Sequence, residues 1–157
     1  MTKQKKVDIA IIDHKNFAVQ KKSLKNIIEK IISASKKEFK SLYVYFVDAE
    51  KLLELNKKFL NHNTDTDIIT FSYSESEPFE SEIYISFEMA NRNAQKYHTK
   101  FDDEILRLII HGILHTSGLT DKTAVQKAFM RKEEDRILAN LKNREFIEKM
   151  NLGLVSN

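Results

Sequence analysis

Ile105-Leu106-Arg107-Leu108-Ile109-Ile110-His111-Gly112-Ile113-Leu114-His115 is the stretch that decides how this chain folds. Residues 105–110 hold a single charge among apolar side chains, which is too apolar for a helix bathed in solvent, so the helix is expected to be central and buried. Two histidines four apart lie about 40° apart around a helix axis, so both imidazoles can reach one metal ion from the same face. Gly118 can take the left-handed conformation that ends a helix, and the chain can then double back to bring the Asp121 carboxylate to that ion. Two nitrogens and one oxygen suit zinc with a position left for water, a catalytic arrangement. Histidines at this spacing also occur as ordinary surface or half-buried residues. The apolar flank argues for ligands, because burying two imidazoles without partners is costly. Gly112 sits between them, where a larger side chain would hinder close approach.

Outward from this helix, the periodicity changes along the chain. Val7 to Ile12 reads as a strand. Between Val19 and Phe39, Leu24, Ile27, Ile28, Ile31 and Ile32 recur at helical spacing. Leu42 to Val47 is aromatic and β-branched, a second strand. Asp48 can cap a following helix with Leu52, Leu53, Leu55 and Phe59 on its buried side. Residues 61–66 read as a loop and Ile68 to Tyr73 as a strand. Ser74 to Glu82, carrying Glu75, Glu77, Glu80 and Glu82, reads as an exposed acidic loop before a short strand, Ile83-Tyr84-Ile85. Phe87 to Tyr97 is expected to be a helix with Ser86 as its N-cap. Asp102 or Asp103 is expected to cap the histidine helix. A last helix spans Thr123 to Asn140, with Ala124, Phe129, Ile137 and Leu138 as apolar contacts. The order β-α-β-α-β-β-α-α-α predicts an α/β (α+β) fold: one domain over 1–157, with a mixed sheet of about four strands covered by helices and the metal site on the central one. Residues 143–157 read as a weakly specified tail.

Composition narrows the chemistry. With 41% hydrophobic residues in 157, the chain can build one core. It has no cysteine, which removes thiolate zinc ligands and cysteine nucleophiles and leaves His, Asp and Glu as donors. No apolar run approaches the roughly 20 residues of a membrane span. The apolar stretch after the basic N-terminus is too short for a signal peptide, and a cytoplasmic location is expected. Residues 1–40 carry 11 Lys and no Arg against four acidic residues, while the remainder holds 15 basic and 19 acidic residues. Such a flank can hold a phosphate backbone, and it can equally be a solvated helix face.

Four separated stretches resemble the YbeY family, bacterial metal-dependent endoribonucleases of ribosomal RNA maturation. They are Leu55-Asn56 through Thr66-Asp67-Ile68-Ile69-Thr70-Phe71; Glu82-Ile83-Tyr84-Ile85-Ser86; Glu104-Ile105-Leu106-Arg107-Leu108; and His111-Gly112-Ile113-Leu114-His115-Thr116-Ser117-Gly118. The resemblance implies a zinc-dependent endoribonuclease with one ion per chain, held by His111, His115 and Asp121. It also implies ribosomal RNA or pre-ribosomal particles, with ribosomal proteins, as partners. Asp121 stands where the family usually has a third histidine, and a carboxylate is a competent zinc donor. Leu60 stands where family members commonly carry an arginine suited to a scissile phosphate; His62, Arg107 and Lys122 are the nearest substitutes in sequence.

The expected chemistry is attack on an RNA phosphodiester by metal-activated water or by a 2′-hydroxyl. A metalloprotease would carry Glu directly after the first histidine, and here that residue is Gly112. A ribosome-associated assembly factor with a mainly structural zinc is the alternative. Tyr43, Tyr45 and Phe46 read as sheet and core aromatics, and His14, His62 and His98 as surface residues. Thr66 and Asp67 either form the turn into a strand or line a cleft.

Overall fold

Alternation of burial defines the sheet. In β2 (Phe39–Val47), Leu42, Val44 and Phe46 are buried while Tyr43 and Tyr45 are half-buried on the other side. The same alternation runs through β4 (Phe79–Ser86), where Ser81, Ile83 and Ile85 are buried and Glu80, Glu82 and Tyr84 are not. These two strands pair in parallel, β1 (Asp8–Ile12) joins β2 in parallel, and β3 (Ile68–Ser72) joins β4 antiparallel. The sheet order is β1-β2-β4-β3, a mixed sheet as expected from the sequence. The computed structural model describes residues 6–62, 65–141 and 145–147.

Register puts Val44, Ile83 and Thr70 side by side on one face. Against this face lies α4 (Phe101–Thr116), whose Ile105, Leu106, Ile109, Ile110 and Ile113 are fully buried. Helix α1 (Lys21–Ser35) contacts α4 and β1 and buries the five residues its spacing singled out. Helices α2 (Ala49–Leu60), α3 (Phe87–Tyr97) and α5 (Ala124–Ala139) complete the cover. Phe17 joins these layers, packed against Phe46, Phe87 and Phe101 with ring centroids 4.9–5.7 Å away.

Gly112 is where α4 comes closest to the sheet. A Cβ there would lie 2.6 Å from Ile83 Cδ1, 3.1 Å from Ile83 Cγ1 and 3.2 Å from Thr70 Oγ1. The small residue therefore serves helix–sheet packing, rather than making room between the two histidines as the sequence suggested. Gly112→Ala gains up to about 1 kcal/mol of helix propensity. Overpacking against the fully buried Ile83 costs about 1–3 kcal/mol, so net destabilisation is expected. A urea midpoint lowered at unchanged slope would confirm it; an unchanged or raised midpoint would refute it.

Several expectations are corrected by tertiary context. The acidic stretch is a loop only as far as Pro78, since Phe79 to Glu82 belong to β4. Asp48 and Ser86 cap α2 and α3 as expected, accepting the backbone N–H groups of Lys51 and Met89. Neither Asp102 nor Asp103 caps α4. The N-cap is Lys100, and Asp102 instead accepts the Phe146 N–H at 3.1 Å. Phe146 is fully buried and its carbonyl accepts the Gln20 N–H, so the expected tail is anchored at this point; residues 142–144 and 148–157 lie outside the described residues. Phe59 and Phe129, expected to be buried, are more than half exposed; Asn56 and Met130 take the inward positions on α2 and α5. Phe46 is core, whereas Tyr43 and Tyr45 lie on the opposite face of the sheet, where Tyr45 stacks on Tyr84 at 4.5 Å.

Candidate active site

Helix α4 carries the site because its buried length fixes what protrudes at one edge. Glu104, Arg107, Leu108 and His111 recur at helical spacing along that edge and form part of the lining of a cleft of about 610 Å³. Asp67 and Ile68 at the start of β3, Asn93 and Tyr97 of α3, Thr99, Asp121, and Arg131 and Glu134 of α5 complete the lining. Gly118, at φ +109°, takes the left-handed conformation as its residue type allows. The Leu119 N–H returns to the Leu114 carbonyl, and the chain turns back toward α4. A capping box then fixes the start of α5: Thr123 accepts the Gln126 N–H, and the Gln126 side chain accepts the Thr123 N–H. Asp121 is held between these two anchors.

The two histidines lie one turn apart on α4 with parallel rings, centroids 6.3 Å apart. His111 Nδ1 is 2.7 Å from a Glu134 carboxylate oxygen, and its Nε2 is 3.5 Å from Asp121 Oδ2. His115, exposed at the next turn, has Nδ1 3.1 Å from the Leu119 carbonyl. The hydrogen bond to the Glu134 carboxylate raises the His111 pKa, burial opposes it, and the charges of Glu134, Asp121 and Asp67 reinforce the rise. Negative charge is thus collected around one imidazole, which favours a cation there, whether a proton or a metal. Among the described residues, no three His, Asp or Glu side chains already stand gathered for an ion. The donor chemistry nevertheless fits zinc. Metal-binding histidines typically have their second nitrogen engaged by a carboxylate or a backbone carbonyl. Glu134 and the Leu119 carbonyl are placed to do this here, which would leave the two Nε2 atoms to face an ion.

Asp67 faces the cleft and accepts a hydrogen bond from Asn93 Nδ2 at 3.1 Å. Burial raises its pKa, partly offset by its own backbone amide, His111 and Asn93. Thr66 donates its hydroxyl to the Ile68 carbonyl at the turn into β3, whereas Asp67 lines the cleft. Glu104 is likewise raised by burial, against the lowering effect of Arg107.

The family description "Endoribonuclease YbeY" matches residues 9–142. The chain belongs to the YbeY family. Relatives named Endoribonuclease YbeY include one from Christiangramia forsetii, 36% identical over 85% of this chain and 94% of the relative. Another, from Parabacteroides distasonis, is 36% identical over 79% of this chain and 87% of the relative. A third, from Flavobacterium psychrophilum, is 41% identical over 69% and 76%. The solution structure of a Thermotoga maritima protein superposes with a TM-score of 0.58 at 28% identity, covering 83% of this chain and 89% of that one.

Against the YbeY motifs, the residues proposed to replace the family arginine separate clearly. Leu60 is 43% exposed at the end of α2, and neither it nor the exposed His62 lines the cleft. Lys122 is exposed beside the α5 cap and is also absent from the lining. Arg107 does line it, but its guanidinium is occupied, 2.8 Å from Asp135 and 3.4 Å from Glu134. Sequence reasoning missed Glu134. A signal was present: Met130, Glu134, Ile137 and Leu138 share the buried stripe of α5, and a carboxylate on an apolar stripe needs partners. It also missed Arg131 and Asn93, for which nothing in the residue order gave a sign. His14 is half-buried beside Asp48 and the Phe87 ring, whereas His98 is the exposed left-handed residue that ends α3.

Proposed function

We propose that this chain is a zinc-dependent endoribonuclease that cleaves ribosomal RNA precursors, with His111, His115 and Asp121 holding one ion. Membership of a family named for endoribonuclease activity supports the reaction class. The single observation that carries the metal is the engagement of both histidine Nδ1 atoms, by Glu134 and by the Leu119 carbonyl. Zinc, when bound, would polarise a phosphoryl oxygen and acidify water. The chain's own residues do the rest. Glu134 fixes the His111 ring and offsets its charge, the Gly118 turn aims Asp121, and Asp67 with Asn93 places acceptor and donor groups along the cleft wall. The partners would be ribosomal RNA or pre-ribosomal particles with their proteins, in the cytoplasm. No described helix is long and apolar enough to cross a membrane. Gly112 occupies the position of a metalloprotease's catalytic Glu, which disfavours peptide hydrolysis.

Metal analysis of untagged protein is the first test, with about one zinc per chain expected. Chelation should abolish cleavage of a ribosomal RNA precursor fragment, and added zinc should restore it. Protein that retains no zinc and cleaves equally well in chelator would refute the proposal.

A further inference from the structure

The cleft contains two arginines, and they are not equivalent. Arg107 is largely buried, with a side chain 18% exposed and paired to Asp135 and Glu134. Arg131 is 65% exposed; among the described residues its ion pair is a distant one, Nε 3.9 Å from the same Asp135 oxygen that Arg107 already holds at 2.8 Å, and its charge also reaches Glu104. Arg107 is therefore neutralised in place, whereas Arg131 can turn to a ligand at little cost. An exposed pair of this kind contributes almost nothing to be lost.

Tyr97 lines the same cleft with 61% of its surface in solvent. Nothing in the core needs an aromatic ring there, since it lies at the last residue of α3, before the left-handed His98. Lys96 Nζ lies over the ring, 5.3 Å from its centroid, and adds positive charge there. His111 lies seven residues after Glu104 on α4, a rise of about 10 Å along the cleft. A strand whose reacting phosphate sits at His111 thus has room for a neighbouring nucleotide there. An exposed ring with a weakly paired guanidinium and an ammonium nearby is the combination that holds single-stranded nucleic acid: the ring stacks a base and the cations take the backbone.

We infer that Tyr97 and Arg131 form the strand-binding subsite of this cleft, Tyr97 stacking a base next to the cleavage position and Arg131 contacting a backbone phosphate. This inference rests on the RNA-cleaving reading above.

The test uses the zinc-loaded full chain and a short single-stranded RNA made uncleavable by 2′-O-methyl groups, with affinity measured across salt concentrations. Arg131→Gln should flatten the slope of log K against log salt by about 0.7, the value for one contact to a single strand, while Arg131→Lys keeps it. Tyr97→Ala should weaken binding about 5- to 150-fold, and Tyr97→Phe should retain it. Both side chains are exposed, so zinc content and unfolding midpoint should stay at wild-type values. Unchanged slope in Arg131→Gln, or equal loss in Tyr97→Phe and Tyr97→Ala, overturns the subsite. Wild-type protein that binds the methylated RNA as described but leaves the unmodified RNA intact overturns the nuclease reading and not this one.

Discussion

Glu134→Ala should destabilise the chain by about 3 kcal/mol and lower zinc affinity about 10–100-fold. The Glu134 side chain is 7% exposed and lies within 2.7 Å of His111 Nδ1 and 3.4 Å of Arg107 Nη1. Removing one partner of a buried ion pair usually costs about 3–5 kcal/mol, because the remaining charge is left without compensation. Two features hold the expected loss at the low end. Arg107 keeps Asp135 at 2.8 Å, and His111 is about a quarter exposed and can release its proton. Glu134→Gln preserves shape and one acceptor, so it should cost about 1–2 kcal/mol. A double variant with His111→Ala separates the contributions: contact through the 2.7 Å bond predicts a coupling of about 1–3 kcal/mol in denaturant unfolding. A loss below about 0.5 kcal/mol for Glu134→Ala would mean that Glu134 merely fills space beside the site.

Glu134 also marks the limit of what could be read from residue order. The fold was legible where local chemistry and periodicity agreed. Helix α3 runs from Phe87 to Tyr97 as expected because Ser86 caps it and the chain turns left-handed at His98. The five apolar positions of α1 are all buried, since their helical spacing puts them on one stripe facing the core. Legibility failed where composition and periodicity conflicted. Glu80 and Glu82 look like loop residues by charge, yet they alternate with Phe79, Ser81 and Ile83, and that alternation places them on the open side of β4. Phe59 was expected inside by hydropathy alone. It stands exposed on the helix, its ring edge-on to Phe71 of β3.

The candidate site divides in the same way. His111 and His115 were visible because their spacing is a property of one helix, and Asp121 because Gly118 announces a turn. What lines the cleft with His111 and Asp121 comes from other elements: Glu134 and Arg131 from α5, Asn93 and Tyr97 from α3, and Asp67 from the entry to β3; His115 lies outside that lining. No local signal states that α3 and α5 will flank the same edge of α4. Arg107 shows the consequence. Sequence proximity to the histidines made it a candidate for phosphate, and packing against α5 commits it to Asp135 and Glu134 instead.

His115→Ala should reduce RNA cleavage by at least about 100-fold, since even a residue that only orients a ligand is worth about 10–100-fold in activity or affinity. Its effect on the fold should be small. His115 is exposed, and its side-chain hydrogen bond to the Leu119 carbonyl closes a surface turn. Unfolding in denaturant without metal should therefore stay within about 0.5 kcal/mol of wild type. The contrast with His111→Ala is informative, because His111 is packed against Glu134 and its removal strands a buried carboxylate. That variant should lose both stability and cleavage. The pair thus distinguishes a catalytic ion from one that serves only as a staple in a ribosome assembly factor. A structural ion contributes folding energy directly, so under that alternative His115→Ala would lose the stabilisation that zinc gives wild type, whatever its effect on cleavage. If His115→Ala folds like wild type and restores ribosomal RNA maturation in cells lacking the native protein, metal catalysis is excluded. The cleft would then bind RNA without cutting it.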